Sequence, residues 1–197
     1  MAKVYLTTPL TPEQVATVKA GDEVYLSGEI YTARDAAHKR MVEDLAAGKT
    51  LAFNPEGAVI YYVGPTPPKE GQVIGSAGPT TSYRMDKFTP EMLSRGVKAV
   101  IGKGYRGDEV KAALVKFGSL YLVSTGGAGA LLARTIEAAE VIAYEDLGAE
   151  AIRRLVVKDF PTICIHDASG GDQYYQGQSQ WVKSDAMVQP KKPEAGE

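Results

Sequence analysis

The chain has one cysteine in 197 residues, Cys164, so no disulfide can form within it. That cysteine stands in the apolar run Phe160-Pro161-Thr162-Ile163-Cys164-Ile165, which reads as a buried strand, and one thiol cannot hold a metal cluster. Histidine is nearly as scarce. His38 and His166 are too few for a zinc or non-haem iron site built from this chain alone, so metal chemistry would have to involve another chain. An excess of one charge is also missing: Lys and Arg number 22 against 24 Asp and Glu, a formal net charge of −2, and no basic run interleaves with aromatics. No nucleic-acid partner is expected. No apolar stretch approaches the ~18 residues a membrane helix needs, and the first residues lack the apolar core of a secretory signal. The expectation is a cytoplasmic protein with no membrane partner.

What is present is a 44% hydrophobic share beside 23% charge, which suits one globular domain with a sizeable core, predicted over residues 1–180. Residues 181–197 are polar and end in Gln189-Pro190-Lys191-Lys192-Pro193-Glu194; with nothing to pack, they are expected to be disordered.

Strands are predicted at 3–7, 23–31, 57–63, 72–77, 97–101, 119–123, 138–143 and 162–165, from β-branched and apolar runs bounded by Gly, Pro and Asp. Helices are predicted between them. Thr11-Pro12 and Thr89-Pro90 give hydroxyl caps with Pro in the first turn, Asp35 and Asp108 serve as caps, and Asp146–Arg154 is read as a helix with a Glu150–Arg154 pair. The order is mixed α and β. Arg34 and His38 begin the apolar stripe of the helix from Asp35 to about Ala47, so His38 reads as a packed or capping histidine, and His166 as structural.

Gly78-Pro79-Thr80-Thr81-Ser82-Tyr83-Arg84-Met85-Asp86 is the stretch that suits a site best. Its hydroxyls, guanidinium and carboxylate follow a Gly-Pro turn and match either small-anion capture or a surface turn with a helix cap. Arg34, Arg84, Lys103 and Arg106 each follow a predicted strand beside glycines, hydroxyls or a helix start, and ligand sites in α/β sheets gather at such strand ends. Together they suggest one anionic pocket, matched to a small dicarboxylate because guanidinium groups hold carboxylates bidentately. Gly126-Gly127-Ala128-Gly129 offers free N–H groups for an anion. Nucleotide binding is set aside, because Leu132 stands where a dinucleotide fingerprint needs its third glycine and no phosphate loop occurs.

The segments Gly28-Glu-Ile-Tyr-Thr-Ala-Arg-Asp-Ala-Ala-His-Lys-Arg40, Gly78 to Asp86, Lys103-Gly-Tyr-Arg106 and Gly126-Gly-Ala-Gly129 resemble the β subunit, or C-terminal domain, of class I fumarate hydratases. The resemblance covers nearly the whole folded part. It implies an α/β fold, a swivelling β/β/α domain with a mixed central sheet flanked by helices. It also implies a partner, an α subunit in a hetero-oligomer such as an α2β2 assembly, carrying the three cysteines of a [4Fe-4S] cluster. By the same resemblance Arg34, Thr81, Arg84 and Lys103 bind the carboxylates of fumarate or malate, and Thr80 is the base or proton relay at the substrate carbon. Asp35, His38, Arg106 and Gly127 support them, and no metal ligand comes from this chain. The L(+)-tartrate dehydratase β subunit is the near relative, and a non-catalytic anion-binding module is the reading from a different class. Tyr105 departs from the Lys-Gly-Asn-Arg usual in these fumarases.

Overall fold

A computed structural model describes residues 1–181, so all but the first residue of the predicted polar tail lies outside the described residues. Seven strands form one sheet: β1 (Lys3–Thr7), β2 (Glu23–Thr32), β3 (Val59–Tyr61), β4 (Ala99–Gly102), β5 (Leu120–Val123), β6 (Ile136–Ala143) and β7 (Ile152–His166). Their order is β1-β2-β3-β4-β5-β7-β6, with β1 through β5 parallel and β7 antiparallel to both of its neighbours. β7 also pairs with β2, from Glu23↔Ile163 to Tyr31↔Arg154, and this closes β2, β3, β4, β5 and β7 into a five-stranded barrel.

The apolar runs that sequence reading could only call buried strands are explained by this closure. Val59 and Tyr61 of β3, Ala99 and Ile101 of β4 and Leu120 and Leu122 of β5 join one core cluster with Leu26, Ile30, Phe160 and Cys164. The alternate residues Ile60, Val100 and Tyr121 join a second cluster with Met41, Met92, Leu93, Val110 and Leu114. Strands buried on both faces need no polar alternation, which is why these segments are continuously hydrophobic. The helices of the second cluster are α2 (Asp35–Ala46), α3 (Thr89–Ser94) and α4 (Asp108–Phe117); α1 (Pro12–Thr17), α5 (Gly129–Ala133) and α6 (Gln173–Ser179) complete the set. No helix of the described residues is long and apolar enough to cross a membrane.

Several local expectations are corrected. Residues 72–77 form no strand, because both edges of β3 are taken by β2 and β4; instead Thr66 pairs with Ser76, and Gly75 lies too close to Thr66 for any side chain. The predicted helix from Asp146 to Arg154 is a 3₁₀ turn (Glu145–Glu150) followed by the start of β7. There Arg154 bonds Glu29 and Glu140 on the flanking strands, both at 2.8 Å, and not Glu150. Only Thr11 of the four predicted caps acts as one, in a capping box with Gln14. Arg34, Phe88 and Gly107 occupy the other N-cap positions without side-chain bonds.

Candidate active site at the carboxyl ends of the parallel strands

Parallel strands all end on the same side of the barrel, so the loops after β2, β4 and β5 converge there. β2 delivers Arg34 and Asp35, β4 delivers Lys103, and β5 leads to Ser124 and the glycine loop. The stretch Gly78–Asp86 is laid across these ends. Thr80 N donates to Tyr62 O at 2.7 Å just past β3, Ser82 N donates to Lys103 O at 2.9 Å, and Thr81 bridges Lys103 as a short parallel pair.

Ser82 is fully buried and locks the join. Its hydroxyl accepts from Lys103 N at 3.0 Å and lies 3.0 Å from the Tyr121 hydroxyl, which also lies 2.7 Å from Gly104 O. The Tyr121 hydroxyl is the donor toward both oxygens, Ser82 Oγ and Gly104 O, so one phenol proton is shared across the join. Gly102 is required beside it, since a Cβ there would overlap Ser82 Oγ.

A 3₁₀ turn, Ser82–Met85, brings Arg84 back over α2. Arg84 Nε donates to Asp35 Oδ1 at 3.0 Å and Nη2 lies 2.9 Å from Oδ2, one hydrogen bond beside a close charge contact. Asp35 Oδ2 is 4.0 Å from Arg34 Nε, and Glu150 Oε1 is 3.3 Å from Arg34 Nη2. Arg34 and Arg84 are therefore joined through one carboxylate. Lys103 is exposed, and among the described residues its ammonium has no hydrogen-bond or ion-pair partner. Thr80 and Thr81 are half-buried, and no hydroxyl bond ties either one down. Gly126 lies over Lys103, where a Cβ would sit 3.9 Å from Nζ; Gly127, at φ +82, faces open space.

Two of the predicted supporting residues lie beneath the surface. Arg106 does not point at a ligand: its side chain is fully buried between the rings of Tyr62 and Tyr121, 5.5 and 5.0 Å from their centroids. Asp86 Oδ1 accepts from its Nε at 2.7 Å, and Thr89 Oγ1 accepts from its Nη2 at 2.6 Å. Burial opposes the charge, but Tyr62, Asp86 and Tyr121 outweigh it, and the guanidinium is held above its ordinary range. His38 is likewise buried. Arg34 O accepts from its Nδ1 at 2.9 Å, so Nε2 carries the lone pair, and that atom is buried without a partner. Burial pushes this imidazole down to about 4, a neutral packing residue below Arg34.

Sequence reading missed Ser82 as a lock, Tyr121 as its partner and Glu150 altogether. Ser82 stood inside the motif, but nothing in the sequence links Glu150 to Arg34.

A [4Fe-4S] cluster does not fit the residues of this chain. Cys164 is buried in β7 and burial raises its thiol pKa, and among the described residues no group of three His, Cys, Asp or Glu could hold a metal ion. The chemistry available here is cationic and hydroxylic: two braced guanidinium groups, one free ammonium and two threonine hydroxyls on an open face. A groove of about 550 Å³, lined by Leu45, Thr50, Phe53 and Arg95, lies at the opposite, amino ends of the parallel strands.

The chain is 36% identical over 181 residues to the aerobic class I fumarate hydratase of Salmonella typhimurium, a match covering 90% of this chain and 31% of that protein. Fumarate hydratase 1, mitochondrial, of Leishmania major is 42% identical over 153 residues, covering 77% of this chain and 28% of the relative. This chain thus spans less than a third of the fumarate hydratases it matches. The putative L(+)-tartrate dehydratase subunit beta of Methanocaldococcus jannaschii is 35% identical over 177 residues, covering 87% of this chain and 91% of the relative. Residues 1–177 match the family model described as the fumarase C-terminus, and the chain belongs to that family.

Proposed function

We propose that this chain is the substrate-binding half of a hydro-lyase that interconverts fumarate and (S)-malate, completed by an α partner that bears a [4Fe-4S] cluster. The observation that carries the reading is the convergence of Arg34, Arg84 and Lys103 with Thr80 and Thr81 at the carboxyl ends of the parallel strands. Arg34, Arg84, Lys103 and Thr81 bind the two carboxylates. In the direction of fumarate, Thr80 as its alkoxide accepts the proton from C3 of malate, and the C2 hydroxyl takes a proton from an acid of the partner and leaves as water. A threonine hydroxyl is a weak base, so its role depends on the cations nearby, which stabilise negative charge on both the alkoxide and the substrate. Gly127 and the loop around it shape the edge of the same face, and a swivel of the barrel against its partner encloses the substrate.

A hetero-oligomer such as α2β2 and a cytoplasmic setting belong to this reading, since a lone reduced thiol suits a reducing compartment. The L(+)-tartrate dehydratase β subunit is the second reading, favoured by one fact: the chain spans nearly the full length of such a subunit. The test is to purify the chain alone and with the polypeptide that accompanies it, add malate or L(+)-tartrate, and follow fumarate by absorbance or oxaloacetate by a coupled assay. The chain alone is expected to be colourless and inactive, and the complex to turn over malate. Turnover by the chain alone refutes the shared site, and an inert complex leaves a non-catalytic anion-binding module.

A further inference from the structure

Glu150 stands on the 3₁₀ turn between β6 and β7, far in sequence from every motif of the site, yet its carboxylate spans the start of α2. Oε2 accepts from Ala36 N at 2.9 Å, and Oε1 lies 3.3 Å from Arg34 Nη2. Gly64 also lies against this side chain: a Cβ there would come within 2.7 Å of Arg34 Nη1 and 3.2 Å of Cδ. Arg34 thus meets both the Gly64 backbone and Glu150, and among the described residues Asp35 is the one other carboxylate near it, at 4.0 Å. The side chains of both members of the pair are mostly buried, 22% exposed for Arg34 and 24% for Glu150, so solvent screens the contact only in part.

We propose that Glu150 is a positioning residue, which holds the Arg34 guanidinium in one orientation at the strand ends so that it meets a substrate carboxylate without first being ordered. The inference rests on the proposed function for its kinetic consequence but not for its geometry. A long side chain ordered beforehand loses no further freedom on binding, and misplacing it by an ångström is felt in the transition state more than in the encounter.

Glu150→Gln separates the two contacts. Its amide oxygen still accepts from Ala36 N–H and keeps the helix start, while its NH2 group faces Arg34 donor to donor. In the active complex we expect kcat to fall about tenfold with KM changed less than threefold, and Glu150→Asp, too short to span both contacts, to behave alike. In an Arg34→Ala background the same substitution should change the rate less than twofold, because the partner it positions is gone. An equal loss in both backgrounds, or a rate within twofold of wild type, overturns the proposal. A crystal structure of the Gln variant reads the geometry without any assay: Arg34 displaced from Gly64 supports the positioning role, and Arg34 unmoved refutes it. An inactive wild-type complex would instead strike the proposed function and leave that structural test standing.

Discussion

Ser82→Ala removes one oxygen from the join between the Gly78–Asp86 stretch and β4, and the structure sets what that oxygen does. Lys103 N–H loses its acceptor at 3.0 Å, and the Tyr121 hydroxyl loses the Ser82 oxygen that accepts from it at 3.0 Å. Ser82 and Tyr121 are both fully buried, so water does not replace the lost oxygen beside the phenol. An unsatisfied buried donor costs roughly 1–3 kcal/mol and a lost neutral bond about 1 kcal/mol, so the variant should be destabilised by about 2–4 kcal/mol. That is a large share of the ~5–15 kcal/mol that holds a domain together, but the variant still folds. Urea unfolding followed by far-UV circular dichroism measures it, with an unchanged m-value as evidence that only the native state was altered. Tyr121→Phe strips the donor from Gly104 O, at 2.7 Å, and severs the same bond to Ser82 from the other end. The double variant should therefore be less destabilised than the two singles added, with a coupling of about 1 kcal/mol or more. A loss below about 0.5 kcal/mol for Ser82→Ala, or strict additivity with Tyr121→Phe, would refute the lock and with it the view that Lys103 is placed by its backbone.

Arg84→Ala should cut kcat/KM at least a hundredfold in the active complex, about 2.7 kcal/mol of transition-state stabilisation. Stability should change by less than about 1 kcal/mol, since Arg84 is 43% exposed and its pair with Asp35 is largely solvated. A near-normal rate moves the pocket elsewhere. Stability should also depend on pH through the two histidines, whose burial holds each at about 4 against an ordinary 6.5. The fold favours their neutral forms, so this contribution is complete above pH 6.5 and is lost as the pH falls toward 4. It is worth on the order of 3 kcal/mol for each. Urea midpoints at pH 7 and pH 4.5 read it, and His38→Gln should remove about half of the difference; equal midpoints in the wild-type protein would show that the imidazoles are not held neutral.

The parts of the fold legible in the sequence are those fixed by neighbours along the chain. Apolar runs such as Val59-Ile60-Tyr61-Tyr62-Val63 and Leu120-Tyr121-Leu122-Val123 declare strands whatever they pair with, and Arg34 and Lys103 stand just past the ends of β2 and β4. Barrel closure was not legible, because it rests on Leu26 meeting Phe160 and Ile30 meeting Leu155, contacts no local pattern encodes. The same applies to Glu150: its spacing to Arg154 fits a helical pair as well as any, and only the pairing of β7 with β6 and β2 sends the two residues apart. Arg106 shows the limit from another side. A cation after a strand and between glycines reads as solvent-facing, and what draws it inward is a pair of tyrosines from β5 and the end of β3, with Asp86 to match its charge.

That inward turn accounts for how the face at the strand ends is built. Arg106 is the buried post under the loop: Asp86 also accepts from Gly107 N at 2.7 Å, so one carboxylate ties the end of the Gly78–Asp86 stretch to the start of α4. Above it, three exposed or half-exposed cations face two carboxylates, Asp35 and Glu150, so the surface is positive but not unopposed. The opposition has a consequence. A carboxylate arriving from solution does not simply add to Arg84; it competes with the Asp35 carboxylate already in place, and the gain is the difference between two similar pairs in water. Lys103, with no ion-pair partner among the described residues, offers its attraction at once. Binding to the open face alone should therefore be weak and led by Lys103, and it should tighten only when a second surface excludes water and raises the worth of each charge pair. A face of oriented cations left open to a second surface is what such a division of labour requires.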